Sequence, residues 1–242
     1  MAVIALYSVK GGVGKTTLAA NLAWCAATTS CRRTLLWDLD PAGGAGFLLD
    51  AEPPGSGAAA ARVFADGDAE RLIRRTPFDR LDLLPADESL HDLDPLFASL
   101  GKRKRLAKLA AALMQRYDRI ILDCPPVLGE LAGQVLRAAD LVVLPLPPSP
   151  LSMRAQVTVE AAIRQRTKSG VRLLPVLSML DRRRALHRDL AAAQPDWPVI
   201  PLASVVEQGA VEQRPVGAMS PQSPAAIALG QLWTRIEREL AA

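Results

Sequence analysis

The sequence predicts an α/β fold in which a single doubly wound, mostly parallel β-sheet is flanked by helices. Three observations support this class. Short continuous apolar runs alternate with longer segments of helical pattern from end to end, which is typical of parallel strands joined by crossover helices. The first apolar run leads directly into a glycine-rich loop and an alanine-rich helix. No clear linker or repeat interrupts the alternation, so we expect residues 1–242 to form one domain.

Composition limits the class of protein. The 242 residues suffice for one large domain, and half of them are hydrophobic but only 4% are aromatic, so we expect a core of Leu, Val, Ile and Ala. No apolar run approaches the ~18 to 20 residues that span a bilayer, and no secretion signal precedes the first strand. The net charge of +4 permits binding to nucleic acid or anionic lipid without requiring either.

Three cysteines, Cys25, Cys31 and Cys124, lack the spacing of metal ligands, and the two histidines lie far apart in the chain. We therefore expect reduced thiols, a cytoplasmic protein and no histidine metal site.

The first element is a strand predicted over Ala2–Leu6, followed by a loop and a helix that begins near Lys15. The loop consists of Lys10, Gly11, Gly12, Val13, Gly14, Lys15, Thr16 and Thr17. Its glycines allow backbone N–H groups to point at a phosphate, and the helix adds its positive N-terminal end. Lys15 supplies a charge for the outer phosphates, and the Thr16 hydroxyl suits Mg²⁺. The pattern G-x-x-x-x-G-K-[ST] has Val9 at its first position here.

Acidic residues lie at the carboxyl ends of two further predicted strands. Asp38 and Asp40 follow a short buried run, and their spacing of two places both carboxylates on one side of the strand. Asp123 ends the buried strand Ile120–Leu122, which two prolines then stop. Because ligands bind at the carboxyl ends of parallel strands, we expect these acids to face the phosphate loop. An acid at the position of Asp123 can hold Mg²⁺ through water.

These motifs resemble those of one known family. The run K-G-G-x-G-K-[ST]-T is similar to the deviant Walker A motif of the ParA/MinD family of P-loop ATPases. Residues 38–41 resemble the family's D-x-D-P, and residues 116–126 resemble Y-D-x-I-I-I-D-x-P-P. The resemblance covers nearly the whole chain and is greatest to the short, Soj-like ParA partition ATPases, which lack an added N-terminal DNA-binding domain.

The resemblance implies a set of roles. ATP and Mg²⁺ are the expected cofactors, and two subunits are expected to enclose two ATP molecules, with Lys10 reaching the nucleotide of the partner. Asp40 would orient or activate the attacking water, while Asp38 would support the Mg²⁺ shell beside Thr16 and Asp123. Pro201 and Leu202, at the end of the strand predicted over Val199–Pro201, would bracket the adenine.

Arginines dominate the segment after the strand predicted over residues 171–180. Four of them, Arg182, Arg183, Arg184 and Arg188, can contact phosphates, and no aromatic residue lies among them for base stacking. The segment resembles the family's M-[YF]-D-x-R-x-x-L, which implies sequence-independent contact with duplex DNA; Arg214 is a further candidate by the same resemblance. A solvated helix start is the alternative. We interpret the basic run 102–108 as a solvated helix face in preference to a phosphate-binding patch.

The remaining elements follow the same patterns. We expect a surface loop at residues 51–60, a short helix within 63–75, a strand at 81–85, helix over 90–115, a strand at 141–145, and helices at 153–167 and 225–240. The last helix is amphipathic, as is the membrane-binding helix of MinD-like relatives. Its polar face carries Glu237 and Glu239, which weakens attraction to anionic lipid, so we expect it to dock on the sheet.

The resemblance therefore predicts a Mg²⁺-dependent ATPase that forms an ATP-bound homodimer, binds duplex DNA without sequence preference, and partitions or positions a plasmid, chromosome or protein complex. A ParB-like or cargo-adaptor protein would stimulate hydrolysis, and the protein would associate with the bacterial nucleoid. Two alternatives stay open: a MinD-like ATPase that cycles on membranes, and an accessory ATPase of a secretion, flagellar or cellulose system that does not bind DNA.

Overall fold

A computed structural model describes residues 1–51, 60–100, 104–167 and 171–242. Within these ranges eight strands form one sheet, in the order β3-β4-β2-β5-β1-β6-β7-β8. The strands are β1 (Ala2–Leu6), β2 (Thr34–Asp38), β3 (Arg74–Arg75), β4 (Leu81–Leu84), β5 (Arg119–Asp123), β6 (Leu141–Leu146), β7 (Arg172–Leu180) and β8 (Val199–Pro201). Neighbouring strands are parallel except β3 and β4, which are antiparallel. The predicted fold class is confirmed.

Helices connect the strands and cover both faces of the sheet. In the described residues they are α1 (Lys15–Thr28), α2 (Gly44–Leu48), α3 (Arg62–Asp66), α4 (Leu93–Leu100), α5 (Arg105–Leu113), α6 (Glu130–Ala138), α7 (Pro150–Arg166), α8 (Ala185–Ala193), α9 (Ser204–Val211), α10 (Val216–Met219) and α11 (Pro224–Ala241). None of the helices in these ranges is long and apolar enough to cross a membrane.

The sheet separates two hydrophobic cores. Alternate residues of β5 divide between them: Ile120 and Leu122 pack on one face, and Ile121 packs on the other. Because both faces are covered, the central strands are apolar at nearly every position, which is the pattern that the sequence displays.

The parallel register places Asp38 and Asp123 next to each other on neighbouring strands. β2 and β5 are neighbours, and Asp38 lies opposite Asp123 in the register of that pair. β1 lies on the other side of β5, with Leu6 opposite Asp123. The phosphate loop, Asp38 and Asp123 therefore all lie at the carboxyl edge of the sheet.

The single helix expected over residues 90–115 is wrong. A 3₁₀ turn covers Glu88–Asp92, and α4 and α5 are separate helices, with residues 101–103 outside the described part of the chain. Pro95 lies in the first turn of α4, where its missing N–H is tolerated, which favours a helix start there. Lys102 and Arg103 of the basic run lie outside the described residues, whereas Arg105 donates to the carbonyl oxygens of Phe64 and Ala65.

Other differences are smaller. The short helix expected within residues 63–75 is α3, and the end of that range forms the edge strand β3. Most of the surface loop expected at residues 51–60 lies outside the described ranges. The sequence reading did not predict α2, α6, α8, α9 or α10, each of which has nine residues or fewer.

Candidate nucleotide-binding site

The phosphate loop joins β1 to α1 and has the backbone geometry of an anion site. Gly12 and Gly14 adopt positive φ angles of 69° and 89°, which side chains of L-residues disfavour. Gly14 occupies the N-cap position of α1 and supplies no side-chain cap, so the first N–H groups of the helix remain available to a ligand. Ser178 of β7 donates a hydrogen bond of 3.1 Å to the carbonyl oxygen of Val13, which holds the loop against the sheet.

Lys15 lies inside this loop with 6% of its surface exposed. Its Nζ donates to the carbonyl oxygen of Lys10 at 3.3 Å. Burial lowers the pKa of Lys15, and the nearby acids Asp123 and Asp40 oppose that shift. The ammonium group is therefore held at the loop by a backbone carbonyl oxygen, with acidic groups nearby. Lys10 is partly exposed, and its ammonium group forms no ion pair with the described residues.

Asp38 is buried and organises the turn that follows β2. Its Oδ1 accepts a hydrogen bond from the N–H of Asp40, and its Oδ2 accepts one from the N–H of Ala45, both at 3.0 Å. Burial and the nearby Asp123 raise the pKa of Asp38. Because both oxygens are engaged by backbone, the geometry suits a supporting role for Asp38 better than direct contact with a metal ion.

Asp40 lies two residues after Asp38 and is partly exposed. Its Oδ1 accepts a hydrogen bond of 3.1 Å from the N–H of Ala42. The carboxylate is close enough to Lys15 and Asp123 to influence the pKa of each. This position, at the solvent side of the buried acids, fits a group that acts on a water molecule.

Asp123 is fully buried, and neither of its carboxylate oxygens has a hydrogen-bond partner in the described residues. Burial raises the pKa of Asp123 to about 7; the nearby Asp40 also raises it, whereas the Thr16 hydroxyl and Lys15 lower it. The Thr16 hydroxyl is near enough to affect the pKa of Asp123, but it makes no hydrogen bond of normal geometry to the carboxylate. A buried carboxylate without a partner is costly, and oxygen ligands are those that Mg²⁺ prefers. Asp123 and Thr16 therefore fit a Mg²⁺ site.

A cavity of about 240 Å³ lies beside the phosphate loop, between α1, the ends of β7 and β8, and α9. Pro201 and Leu202, which the sequence singled out, line it. Sequence reasoning missed Met179, Val206 and Glu207, which line it as well. Met179 adopts a positive φ of 54° where the pairing of β7 and β8 becomes irregular. The sequence signal for these residues is their position near the carboxyl ends of two parallel strands: Met179 is the next-to-last residue of β7, and Val206 and Glu207 follow β8.

The four arginines after β7 are all exposed, but they differ in their contacts. Arg183 forms a bidentate salt bridge with Asp181, with Nε–Oδ1 and Nη2–Oδ2 distances of 2.9 and 3.0 Å. Arg188 folds back and donates to the carbonyl oxygens of Arg182 and Arg183.

The buried His187, which sequence reasoning left without a role, accepts a hydrogen bond from the N–H of Asp181 through Nδ1. No ion pair holds Arg182 or Arg184 within the described part of the chain.

Arg214 lies elsewhere, in the turn between α9 and α10, and is exposed. Its N–H donates to the carbonyl oxygen of Gly209 at 2.9 Å. No hydrogen bond or ion pair between described residues joins Arg214 to the arginines of residues 182–188.

Comparisons with known proteins identify the family of the chain. The family model AAA_31, described as an AAA domain, matches residues 1–172. Sporulation initiation inhibitor protein Soj of Bacillus subtilis is 38% identical over 146 residues, which make up 60% of this chain and 57% of that protein. Chromosome-partitioning ATPase Soj of Thermus thermophilus is 31% identical over 250 residues, covering 95% of this chain and 92% of that protein.

The likeness extends to solved structures. The septum site-determining protein MinD of Pyrococcus horikoshii, solved in complex with Mg-ADP, has a TM-score of 0.82 over 100% of this chain and 97% of its own, at 24% identity, and so shares the fold. In the first three curated relatives the matched part is only 51% to 60% of their length. Because the family model covers most of the chain and the Thermus match covers nearly all of it, the chain belongs to the ParA/MinD family of P-loop ATPases.

Proposed function

We propose that this chain binds ATP with Mg²⁺ and hydrolyses it to ADP and phosphate. The observation that carries the proposal is Asp123, a fully buried carboxylate without a hydrogen-bond partner in the described residues, next to a phosphate loop that holds Lys15. The loop would bind the phosphates of a magnesium nucleotide, and Asp123 would bind its metal ion. Residues 1–242 would act as one ATPase domain, since one sheet runs through the described part of the chain.

Each residue at the carboxyl edge has a role in this reaction. Lys15 and the N–H groups of the loop would stabilise negative charge on the transferring phosphoryl group, and Lys10 would add charge from a partner subunit. Thr16 and Asp123 would hold Mg²⁺, with Asp38 fixing the turn beside them. When bound, the ion neutralises charge on the phosphate oxygens. Asp40 would orient the attacking water, and the cavity lined by Pro201 and Leu202 would take the adenine.

ATP binding would build a homodimer that binds duplex DNA without sequence preference. Support for the dimer comes from Lys10, whose ammonium group is partly exposed and without an ion pair among the described residues. Support for DNA binding comes from the exposed arginines of residues 182–188, together with Arg214. A ParB-like or cargo-adaptor protein would stimulate hydrolysis and release. The cycle would position a plasmid, chromosome or protein complex on the nucleoid in the bacterial cytoplasm, in keeping with the similarity to the chromosome-partitioning ATPase Soj of Thermus thermophilus.

The structure offers less support for a membrane-cycling ATPase. The apolar side of α11 is buried: Leu229, Leu232, Trp233 and Ile236 pack in the core, and Ile227 is the one large apolar residue of this helix that is exposed. Trp233 Nε1 also donates to Ser30 Oγ at 2.7 Å. Releasing this helix to a lipid surface would expose the core beneath it.

The experiment compares DNA binding with ATP and with ADP. Asp40→Ala should bind ATP without hydrolysing it, and it should sediment with nonspecific duplex DNA in ATP but not in ADP. Binding should weaken steeply between two salt concentrations, since phosphate contacts release counterions. Lys15→Ala is the matched control, because it should bind neither nucleotide nor DNA under the same conditions.

The outcomes separate the candidate functions. Retained ATP affinity in Lys15→Ala would remove the phosphate-loop assignment and with it the ATPase. Normal ATP binding by Asp40→Ala without DNA binding would favour an accessory ATPase or, if liposomes containing anionic lipid then bind the ATP form, a membrane-cycling one.

A further inference from the structure

Side chains from three other elements hold the loop that follows Asp123. We call residues 125–129, which join β5 to α6, the clamped loop. Tyr7 Oη of the segment after β1 donates to the carbonyl oxygen of Val127 at 2.8 Å. Arg166, the last residue of α7, donates to the carbonyl oxygens of Leu128 and Gly129, both at 2.9 Å. Three consecutive carbonyl groups are thus each bonded to a side chain distant in sequence.

The far end of the clamped loop is fixed as well. Asp94 of α4 accepts a hydrogen bond of 2.9 Å through Oδ1 from the N–H of Leu131, in the first turn of α6. Gly129 supplies no side-chain cap of its own to this helix, and a Cβ at that position would overlap the Asp94 carboxylate. The loop therefore has little freedom to move while these contacts persist.

Tyr7 connects this loop to the phosphate loop. It directly precedes Ser8, whose Oγ accepts a hydrogen bond of 3.2 Å from the N–H of Lys10. Its side chain is buried, with 1% of the residue exposed, and burial raises the pKa of Tyr7 to about 12, so the hydroxyl stays a donor near neutral pH. One side chain therefore joins the segment that enters the phosphate loop to the segment that leaves Asp123.

We propose that Tyr7 and Arg166 are positioning residues, which hold the clamped loop at a fixed place relative to the phosphate loop and so align Asp123 for a magnesium nucleotide. The proposal rests on the proposed function, because it assigns Asp123 to Mg²⁺. Neither residue touches the reacting atoms. Their effect should appear in the gain of nucleotide affinity that Mg²⁺ provides, and in the order of the loop itself.

The test uses Tyr7→Phe, which removes the hydroxyl and keeps the packing of the ring. Tyr117→Phe is the matched control, because Tyr117 is also buried and its Oη donates to Asp82 Oδ2 at 2.7 Å, away from the carboxyl-edge site. Hydrogen–deuterium exchange of a peptide covering residues 124–131 reports the order of the clamped loop without nucleotide. Calorimetric titration with ADP, in Mg²⁺ and in EDTA, reports the contribution of the ion.

In Tyr7→Phe, exchange in residues 124–131 should accelerate, and the gain in ADP affinity due to Mg²⁺ should fall about fivefold, as expected for one lost hydrogen bond. Affinity in EDTA should not change. Arg166→Met should have a larger effect, and Arg166→Lys should restore part of it. Tyr117→Phe should leave both readouts as in the unaltered protein.

Two results would overturn the proposal: unchanged exchange of the loop in Tyr7→Phe, or a loss of affinity that is equal in Mg²⁺ and EDTA. If the unaltered protein binds no ADP in either condition, the proposed function fails, whereas the exchange measurement still decides whether Tyr7 holds the loop.

Discussion

At the scale of single residues, Asp123 is unusual because it is completely buried and yet has no hydrogen-bond partner in the described residues. Such groups are rare in folded proteins, since a buried charge without a partner destabilises the native state. Functional sites keep groups of this kind for a ligand that is absent from the free protein. Asp123 should therefore destabilise the nucleotide-free protein.

The raised pKa of Asp123 leads to a prediction about how the stability of the nucleotide-free protein depends on pH. The pKa of Asp123 is raised to about 7 in the fold, against an ordinary value of about 3.9, so between these values the folded state holds a proton that the unfolded chain has lost. The contribution of Asp123 to stability is therefore present at low pH and is lost as pH rises towards 7. In EDTA, Asp123→Asn should flatten the fall in unfolding free energy between pH 5 and 8, as measured by urea denaturation.

The exposed Asp66 provides the control for this measurement, since Asp66→Asn should leave the pH dependence unchanged. An equally steep fall in Asp123→Asn would show that other groups cause it. In Mg²⁺, the same substitution should reduce the stabilisation that ADP provides to the level seen in EDTA.

At the scale of elements, the turn between β7 and α8 has two kinds of arginine. Arg183 is paired with Asp181 and Arg188 is folded onto backbone carbonyls, so both maintain the shape of the turn. The pairing holds the pKa of Asp181 at about 2, well below its usual range. Arg182 and Arg184 form no ion pair with described residues, so their guanidinium groups are free to make the DNA contacts that we propose.

This difference predicts unequal effects on DNA binding. Arg182→Gln combined with Arg184→Gln should weaken binding of the ATP form to duplex DNA about tenfold or more at 0.1 M salt, and should lower the slope of log affinity against log salt by about 2. Arg183→Gln should have a smaller effect on affinity, because its guanidinium is already paired. A larger loss in Arg183→Gln than in the double variant would contradict this division of roles.

The ion pair that attaches α11 to the sheet leads to a prediction about the stability of the protein. Glu237 pairs with the buried Arg119 through Nε–Oε1 and Nη2–Oε2 distances of 2.7 and 2.9 Å. Glu237→Ala would leave the guanidinium of Arg119 buried without a carboxylate, so unfolding in urea should require about 2–4 kcal/mol less free energy.

The control is Arg235→Ala, which breaks a partly exposed pair with Glu239 on the same helix and should change stability by less than about 0.5 kcal/mol. Similar small losses in both variants would mean that the pair between Glu237 and Arg119 contributes little to holding α11.

At the scale of the whole molecule, Lys10 predicts the oligomeric state. In the Asp40→Ala background with ATP, light scattering after size-exclusion chromatography should give the mass of a dimer, and the added substitution Lys10→Ala should return it to a monomer. Affinity for ADP should change little, because the proposed role of Lys10 is to contact the nucleotide of a partner subunit and not that of its own subunit. A monomer in ATP before Lys10 is altered would contradict the proposed dimer, and a dimer that survives Lys10→Ala would contradict only the role of Lys10.

Particular elements indicate how far the sequence predicts this protein. The phosphate loop could be read directly, because its function depends on backbone conformations that only glycine adopts readily and on a lysine at a fixed offset. The strands around it were predictable because burial on both faces demands continuous apolar runs. The prediction of one helix over residues 90–115 missed the break between α4 and α5, although the apolar positions of the two helices are out of phase at 3.6 residues per turn and a basic run lies between them.

The sequence by itself therefore determined the fold class, the family and the local phosphate-binding motif, because each depends on neighbouring residues in the chain. Only the tertiary structure decided that Asp123 lacks a hydrogen-bond partner, that Arg183 and Arg188 are engaged, and that Tyr7 holds Val127. For Asp123 and Tyr7 the reason is that the surroundings of each side chain depend on packing across the sheet, whereas Arg183 and Arg188 depend on the conformation of one exposed turn. The linear pattern of residue types contains no information about whether a side chain finds a partner once the strands are assembled.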